Sequence, residues 1–130
     1  MTHSGSIVLQ ESFEPAAAIE LIEKEGCTVF YGMVNMARSI RENDGWSLKK
    51  LKSMRTGLTI GLPEDIQMII DTMSTSELCN VYGSTETYGN ASVCSSTDPI
   101  DLRLKSQGLP LPGMKIRVVD PETKVPLPPG

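Results

Sequence analysis

Two amphipathic helical segments, each preceded by a short apolar run, constrain the fold of this chain more than any other feature. Apolar residues recur at the i, i+3, i+4, i+7 spacing of a helix face in two places: Met33, Met36, Ala37 and Ile40, and then Ile66, Ile69, Ile70 and Met73. Strand-like runs precede them at residues 27–31 and 58–60. Because strands that alternate with helices at this pitch are parallel and joined by right-handed crossovers, the sequence predicts an α/β fold, a parallel sheet with flanking helices.

Methionine dominates the first of these helix faces, and two interpretations of it are open. Since methionine is flexible and fills irregular space, Met33 and Met36 could line a pocket for an acyl chain. Packing against the sheet is the commoner role of such a face.

Proline and glycine mark the helix boundaries. Pro15 begins a helix that runs to Glu25 with Gly26 as its stop, and Pro63 begins the helix that carries the second apolar face. Residues 6–10 are predicted as a strand before the first helix.

The second half of the chain has a different character. Residues 77–81 are predicted as another strand of the parallel sheet. Residues 91–104 are polar and turn-rich, and no element is assigned to them. A strand at residues 115–120 and a turn at 120–123 then predict a β-rich C-terminal segment.

The loop at residues 80–89 follows the strand at 77–81 and collects groups that suit a nucleotide. Tyr82 can offer a flat ring to a base, and Gly83 lets another group approach the backbone closely. Thr85 can donate to a phosphate oxygen, and Glu86 supplies the hard oxygen ligand that Mg²⁺ prefers. Loops rich in Gly, Ser and Thr are also common at strand ends without any ligand. These residues alone leave both interpretations open.

A second motif follows in the order Gly-x-Pro-x-Pro-Gly at residues 108–113, a strand, and Asp-Pro-Glu-Thr at 120–123. Together with the Tyr-Gly-x-Thr-Glu sequence at 82–86, it resembles the adenylate-forming superfamily of acyl-CoA synthetases, peptide-synthetase adenylation domains and luciferases. Residues 13–15 and 61–63 also fall where that family carries similar segments. The resemblance covers nearly the whole chain.

The resemblance implies a reaction in which a carboxylate attacks the α-phosphate of ATP to give an acyl-adenylate and pyrophosphate. Acyl-CoA ligases then pass the acyl group to the thiol of coenzyme A. On this basis Thr85 and Glu86 are the candidate catalytic residues, with Thr85 at the α-phosphate and Glu86 as the Mg²⁺ ligand. Tyr82 would flank the adenine ring of ATP or AMP.

The same resemblance implies supporting roles around this loop. The backbone of Gly61 and Leu62 would lie beside the adenine or the acyl group. Asn80 would reach the adenine edge, and Ser84 belongs to the same nucleotide-binding set. Gly83 and Gly89 would leave space for the carboxylic acid substrate.

Several parts of the family pattern do not occur in this sequence. It has no Gly/Ser/Thr-rich phosphate loop ending in Pro-Lys-Gly, no later aspartate for the ribose hydroxyls and no C-terminal catalytic lysine. We therefore expect residues 1–130 to be an internal fragment of the large N-terminal domain and to be inactive alone. Residues 1–89 would hold the strand–helix repeats up to the nucleotide loop, and 90–130 the connecting segment, strand and turn. Lys124 also departs from the family, which has Gly after Asp-Pro-Glu-Thr.

Two other functions stay open beside the acid–thiol ligase. The chain could be a nucleotide-binding α/β module without catalysis, or part of a peptide-synthetase adenylation domain. A net charge of −4 without a basic patch and an aromatic content of 5% argue against nucleic acid as a partner.

Cysteine and histidine usage argues against a zinc site and for a reducing compartment. The three cysteines are widely spaced, and His3, which we expect at the surface, is the single histidine. No apolar run is long enough for a signal peptide or a membrane span, so the sequence predicts a cytoplasmic protein.

Overall fold

The computed structural model of the chain describes residues 4–128, which form a five-stranded sheet and its covering helices. In chain order the elements are α1 Pro15–Glu25, β1 Val29–Tyr31, α2 Val34–Arg41, β2 Thr56–Thr59, α3 Pro63–Met73, β3 Glu77–Ser84, a 3-10 turn Thr85–Thr87, β4 Gly89–Val93, α4 Ile100–Lys105 and β5 Leu109–Pro110. The predicted α/β fold is confirmed.

Local sequence signals set the helix ends. Pro15 occupies the first turn of α1, where its missing N–H costs nothing, and Gly26 ends the helix in the left-handed region with φ of 62°. Pro63 begins α3 in the same way, and Ser74 ends it with φ of 57°. The predicted boundaries of α1 are therefore confirmed.

The first three strands lie side by side and parallel, in the order β1-β2-β3. Tyr31 pairs with Leu58, and Thr59 pairs with Asn80. The carboxyl ends of these strands therefore meet at one edge of the sheet.

The other side of β3 is antiparallel, which the sequence did not predict. Val81 pairs with Val93 and Tyr82 with Ser92, and the register shifts between Tyr82 and Gly83. Such an irregularity bends the strand and re-aims the residues beyond it. β5 continues this antiparallel side.

The core lies where the helices pack on the sheet. Its fully buried members include Ile19, Ile40, Leu51, Ile66, Ile69, Met73 and Leu78. Burying each such side chain stabilises the fold by about 1.5–3 kcal/mol. Met36 packs against this core, while Met33 is 50% exposed, so the methionine face contributes one residue to packing and leaves one at the surface.

Two predicted strands are wrong. Residues 6–10 form no ladder with any described strand, and Ile7 and Leu9 stay exposed, because an apolar run becomes a strand only beside a partner. Residues 115–120 contribute only a single bridge, between Val119 and Pro126. Its two hydrogen bonds run from the Asp120 N–H to the Val125 carbonyl oxygen and from the Leu127 N–H to the Val118 carbonyl oxygen, and a strand requires further paired residues beyond such a bridge.

The turn at residues 120–123 is present, and Lys124 follows it with φ of 61°. The family's glycine would suit this left-handed position, and lysine there costs about 1 kcal/mol relative to glycine. His3 and residues 129–130 lie outside the described part of the chain. None of the helices within residues 4–128 has the length and hydropathy that a membrane crossing requires.

Candidate functional site

The edge formed by the carboxyl ends of β2 and β3 carries most of the predicted site residues. Because Thr59 pairs with Asn80 in parallel register, the residues that follow each strand emerge on the same side. Gly61 and Leu62 follow β2 and lead into α3, while Tyr82 lies on the part of β3 that extends past this pair. Ligands of open parallel sheets bind beyond this edge.

The segment after β3 is a tight connection to β4. Thr85–Thr87 form one 3-10 turn, and Tyr88 and Gly89 follow with φ of 56° and 112°. The Tyr88 side chain is fully exposed. Its backbone occupies the left-handed region, which is unfavourable for a bulky residue. The chain thereby reverses within a few residues.

Hydroxyl groups hold this reversal together. The Thr87 hydroxyl accepts a 3.0 Å hydrogen bond from the Ser84 N–H. It lies 3.0 Å from the Ser84 carbonyl oxygen and 2.9 Å from the Gly89 carbonyl oxygen, to either of which it can donate. The Ser84 hydroxyl in turn accepts from the Thr87 N–H, which completes a reciprocal cap.

Gly83 permits a close backbone contact inside this connection. A Cβ atom at Gly83 would fall on the carbonyl oxygen of Gly89. The requirement for glycine therefore comes from the approach of β4 in this structure. Approach of a substrate to Gly83 and Gly89 stays a prediction.

The carboxylate of Glu86 lies at the exposed tip of the turn beside the exposed Thr85. Hydrogen bonds from the Ser84 hydroxyl and from its own backbone N–H hold the pKa of Glu86 below its ordinary value. Glu86 is therefore ionised at neutral pH and available as a hard oxygen donor.

Tyr82 and Leu62 complete the exposed surface at this edge, with 53% and 61% of their areas exposed. Asn80 is different, because only 1% of it is exposed and its amide donates to the Ser106 carbonyl oxygen at 3.0 Å. The structure therefore does not bring Asn80 onto the surface that carries Tyr82. Its Oδ1 and the neighbouring Thr59 Oγ1 are buried without a hydrogen-bond partner among the described residues.

A metal at this edge would have one protein carboxylate. Residues 4–128 contain no group of three or more His, Cys, Asp or Glu side chains that could hold a metal ion by themselves. Mg²⁺ in nucleotide sites commonly takes one or two carboxylates and completes its shell with water and phosphate oxygens. Glu86 fits that mode of binding.

Two residues near this edge, Thr87 and Thr59, are not predicted from the sequence. Thr87 organises the turn, and the only sequence signal was a hydroxyl residue three positions after Ser84, a variant of the capping-box spacing. Thr59 carries a buried hydroxyl at the end of β2, for which no sequence signal exists.

A cleft of about 680 Å³ lies elsewhere. It is bordered by residues 6–10, α1 and the outer edge of β1. Met36 lines it, but none of the residues predicted for the nucleotide site does. The candidate site is therefore an open sheet edge in this chain.

Comparison with known proteins places this arrangement in one family. The family model of AMP-binding enzymes matches residues 1–130. The chain is 31% identical over 127 residues to a mouse mitochondrial medium-chain acyl-CoA ligase, ACSF2, covering 95% of this chain and 21% of that protein. It is 27% identical over 124 residues to the acyl-CoA ligase sidI of Aspergillus fumigatus, covering 92% of this chain and 21% of that protein.

Solved structures agree in fold. ATP-bound MatB of Rhodopseudomonas palustris superposes with a TM-score of 0.79 at 23% identity, over 97% of this chain and 24% of that one. The amide bond synthetase McbA of Marinactinospora thermotolerans gives a TM-score of 0.75 at 26% identity, over 97% of this chain and 26% of that one. The chain spans about a fifth of the length of the curated relatives it matches.

Proposed function

This chain belongs to the AMP-binding enzyme family, and from that premise we propose that it is part of an ATP-dependent acid–thiol ligase. The reaction activates a carboxylic acid as an acyl-adenylate, releases pyrophosphate and transfers the acyl group to coenzyme A. Similarity to proteins named acyl-CoA ligases supports coenzyme A as the acceptor. Residues 1–89 would supply the strand–helix repeats and nucleotide loop, and 90–130 the connecting segment.

The observation that carries this proposal is the position of the turn Thr85–Thr87. The antiparallel pairing of β3 with β4 delivers this turn to the edge where β2 and β3 end. An ionised carboxylate and a threonine hydroxyl are thus presented together at the place where α/β sheets bind ligands.

Thr85 and Glu86 address the main barrier of the reaction, which is the meeting of two anions. A donor at the α-phosphate stabilises charge that develops when the carboxylate attacks, and Thr85 has an exposed hydroxyl for this purpose. Glu86 would hold Mg²⁺, which supplies charge neutralisation for the phosphates when bound.

The electrostatics of α3 support placing the adenine, and not the phosphates, beside Gly61 and Leu62. A helix N-terminus attracts anions, but the first turn of α3 carries Glu64 and Asp65. Arg38 lies 3.9 Å from Asp65 and compensates part of its charge, so Glu64 is the carboxylate that mainly offsets the helix dipole and disfavours phosphate. A neutral base against the Tyr82 ring suits this part of the edge.

The other predicted site residues are proposed to support the nucleotide and the acid substrate. Asn80 could contact the adenine only through the Oδ1 atom that lacks a partner among the described residues. Ser84 would act on the nucleotide site through its hydrogen bond to Glu86. Gly83 and Gly89 would leave room for the acid substrate next to the turn.

The free cysteines agree with the reducing, cytosolic setting that we propose. Cys27, Cys79 and Cys94 form no disulfide in the described part of the chain. Thiols stay reduced in the cytosol.

The test of the metal role is Glu86→Gln in a chain of the relatives' length that contains these residues. Loss of the carboxylate should lower the rate of acyl-adenylate formation by about 10²-fold or more, equivalent to about 3 kcal/mol. Single-turnover measurements across a Mg²⁺ titration would show this, with the exposed Glu20→Gln on α1 as the matched control. A Glu86→Gln protein with the rate and Mg²⁺ dependence of wild type would contradict the role.

Tyr82 provides a second test in the same protein. Tyr82→Phe should have a small effect, because the flat ring is the proposed contact. Tyr82→Ala should mainly raise the KM for ATP. Equal effects of the two variants would argue against stacking on the base.

The 130-residue chain by itself should have no ligase activity. It lacks the phosphate loop and the lysine that position and neutralise the triphosphate in the family. Pyrophosphate release with ATP, Mg²⁺ and a panel of carboxylic acids is the measurement, and turnover above a heat-denatured control would contradict this expectation.

A further inference from the structure

Thr87 links the two ends of the turn that carries Thr85 and Glu86. Its hydroxyl oxygen accepts from the N–H of Ser84, which precedes the turn. Its single proton can go to the Ser84 carbonyl oxygen at 3.0 Å or to the Gly89 carbonyl oxygen at 2.9 Å. One side chain therefore contacts the end of β3 and the start of β4.

Packing does not hold this turn in place. No residue of Thr85–Thr87 is buried, and the Tyr88 side chain is fully exposed. The left-handed backbone at Tyr88 is strained for a tyrosine, so its conformation requires local contacts that compensate. The hydrogen bonds of Thr87, together with the 3.2 Å bond from the Tyr88 N–H to the Thr85 carbonyl, are the contacts available for that purpose.

Glu86 depends on this conformation for its direction. Glu86 is the middle residue of the turn Thr85–Thr87, so rotation of its backbone would redirect its carboxylate. In the same cap the Ser84 hydroxyl accepts from the Thr87 N–H. A turn that opened would lose this contact together with the hydrogen bonds of the Thr87 hydroxyl.

We propose that Thr87 is a positioning residue for the metal–nucleotide complex, because its hydroxyl fixes the backbone from which Thr85 and Glu86 project. This inference rests on the proposed function. The Thr87 hydroxyl is fully engaged by the turn, so it acts through Glu86 and Thr85 and not on the substrate.

The experiment compares Thr87→Val, which keeps the branched shape and removes the hydroxyl, with Thr87→Ser, which keeps the hydroxyl. Both are made in a chain of the relatives' length. The probe is Mn²⁺ with a non-hydrolysable ATP analogue, and bound Mn²⁺ is measured by electron paramagnetic resonance. Thr97→Val, at an exposed turn elsewhere, is the matched control.

Thr87→Val should weaken Mn²⁺–nucleotide binding by about tenfold, a typical consequence of one lost hydrogen bond to the conformation that binds. Thr87→Ser should restore most of the affinity. Amide hydrogen exchange at Ser84 in the nucleotide-free protein should speed up in Thr87→Val alone, because that N–H loses its acceptor.

The outcomes distinguish failure of the proposed function from failure of the Thr87 role alone. Wild-type protein that fails to bind the Mn²⁺–nucleotide complex would overturn the proposed function and the role of Thr87 with it. If wild type binds and Glu86→Gln weakens binding, but Thr87→Val matches wild type, only the Thr87 inference is wrong. It is also wrong if Thr87→Ser is as weak as Thr87→Val, or if the loss merely follows the fraction of unfolded protein seen by circular dichroism.

Discussion

The guanidinium of Arg103 donates a 2.7 Å hydrogen bond from Nη1 to the backbone carbonyl oxygen of Leu78, in the interior of the protein. Its Nε donates to the Asp98 carbonyl oxygen at 2.9 Å, and only 6% of the residue is exposed. Arg103 thus fastens α4 to β3, the strand that carries the candidate site. It also connects the two halves of the chain.

Replacing Arg103 with methionine should lower the free energy of unfolding by about 1–3 kcal/mol, because the buried Leu78 carbonyl and the partly buried Asp98 carbonyl lose their charged donor. Arg103→Lys should recover only part of this, since an ammonium cannot reproduce the planar donor geometry. Urea denaturation is the measurement. Lys105→Met on the exposed side of α4 is the control, and an unchanged Arg103→Met protein would contradict the fastening role.

Gly83→Ala should displace β4 from β3 at the candidate site. The new methyl group would collide with the backbone carbonyl of Gly89, which cannot move aside as a side chain could. We expect a loss of about 1–3 kcal/mol in the free energy of unfolding and faster amide exchange at residues 84–89. Gly45→Ala, whose nearest neighbour is the tip of the Asn43 side chain at 3.1 Å, should be close to neutral.

The three thiols should differ in reactivity. Burial raises the pKa of Cys79, and Cys79 and Cys94 are 7% and 3% exposed, whereas Cys27 is half-buried. Since the thiolate is the nucleophile, iodoacetamide at about pH 8 should modify Cys27 first and the other two only on unfolding. Mass spectrometry with and without urea tests the order. Modification of Cys79 as fast as Cys27 under native conditions would show that β3 is open to solvent.

Asp120 should titrate below its ordinary range. The N–H and hydroxyl of Thr123 and the N–H of Glu122 donate to its carboxylate and lower its pKa. Its ionised form therefore stabilises the turn above the unfolded pKa of about 3.9, and that contribution is lost as the pH falls through the folded pKa. The side-chain carboxyl shift followed by nuclear magnetic resonance measures this.

Thr123→Val should move the pKa of Asp120 part of the way back up, because the backbone donors remain. An Asp120 that titrates alike in Thr123→Val and in wild type would show that the hydroxyl contributes nothing.

The parts of the fold that sequence could predict are those whose causes are local. Pro15, Gly26 and helical spacing suffice to place α1, because these signals act within a few residues. β4 was missed because its residues Gly89–Val93 lack strand alternation, and its pairing with β3 decides its conformation. Residues 6–10 show the opposite error, since their local preference is for a strand but no partner lies beside them.

In the candidate site, too, local features could be predicted from the sequence and features set by distant contacts could not. Tyr82, Thr85 and Glu86 could be proposed from the sequence because the chemical groups of their side chains suit a nucleotide and its metal. The role of Thr87 depends on the left-handed backbone at Tyr88, which brings the Gly89 carbonyl within reach. The burial of Asn80 depends on Ser106, far along the chain, and no local pattern contains that contact.

The two-sided pairing of β3 has a consequence for how the protein can change over evolutionary time. The turn Thr85–Thr87 is closed by neighbours in sequence, whereas its location relative to Gly61 depends on contacts between distant segments. Substitutions in the segments that pair with β3 would therefore shift the whole turn without changing the hydrogen bonds inside it. Such a division would let the position of the turn relative to Gly61 change while the arrangement of Thr85 and Glu86 within the turn is kept.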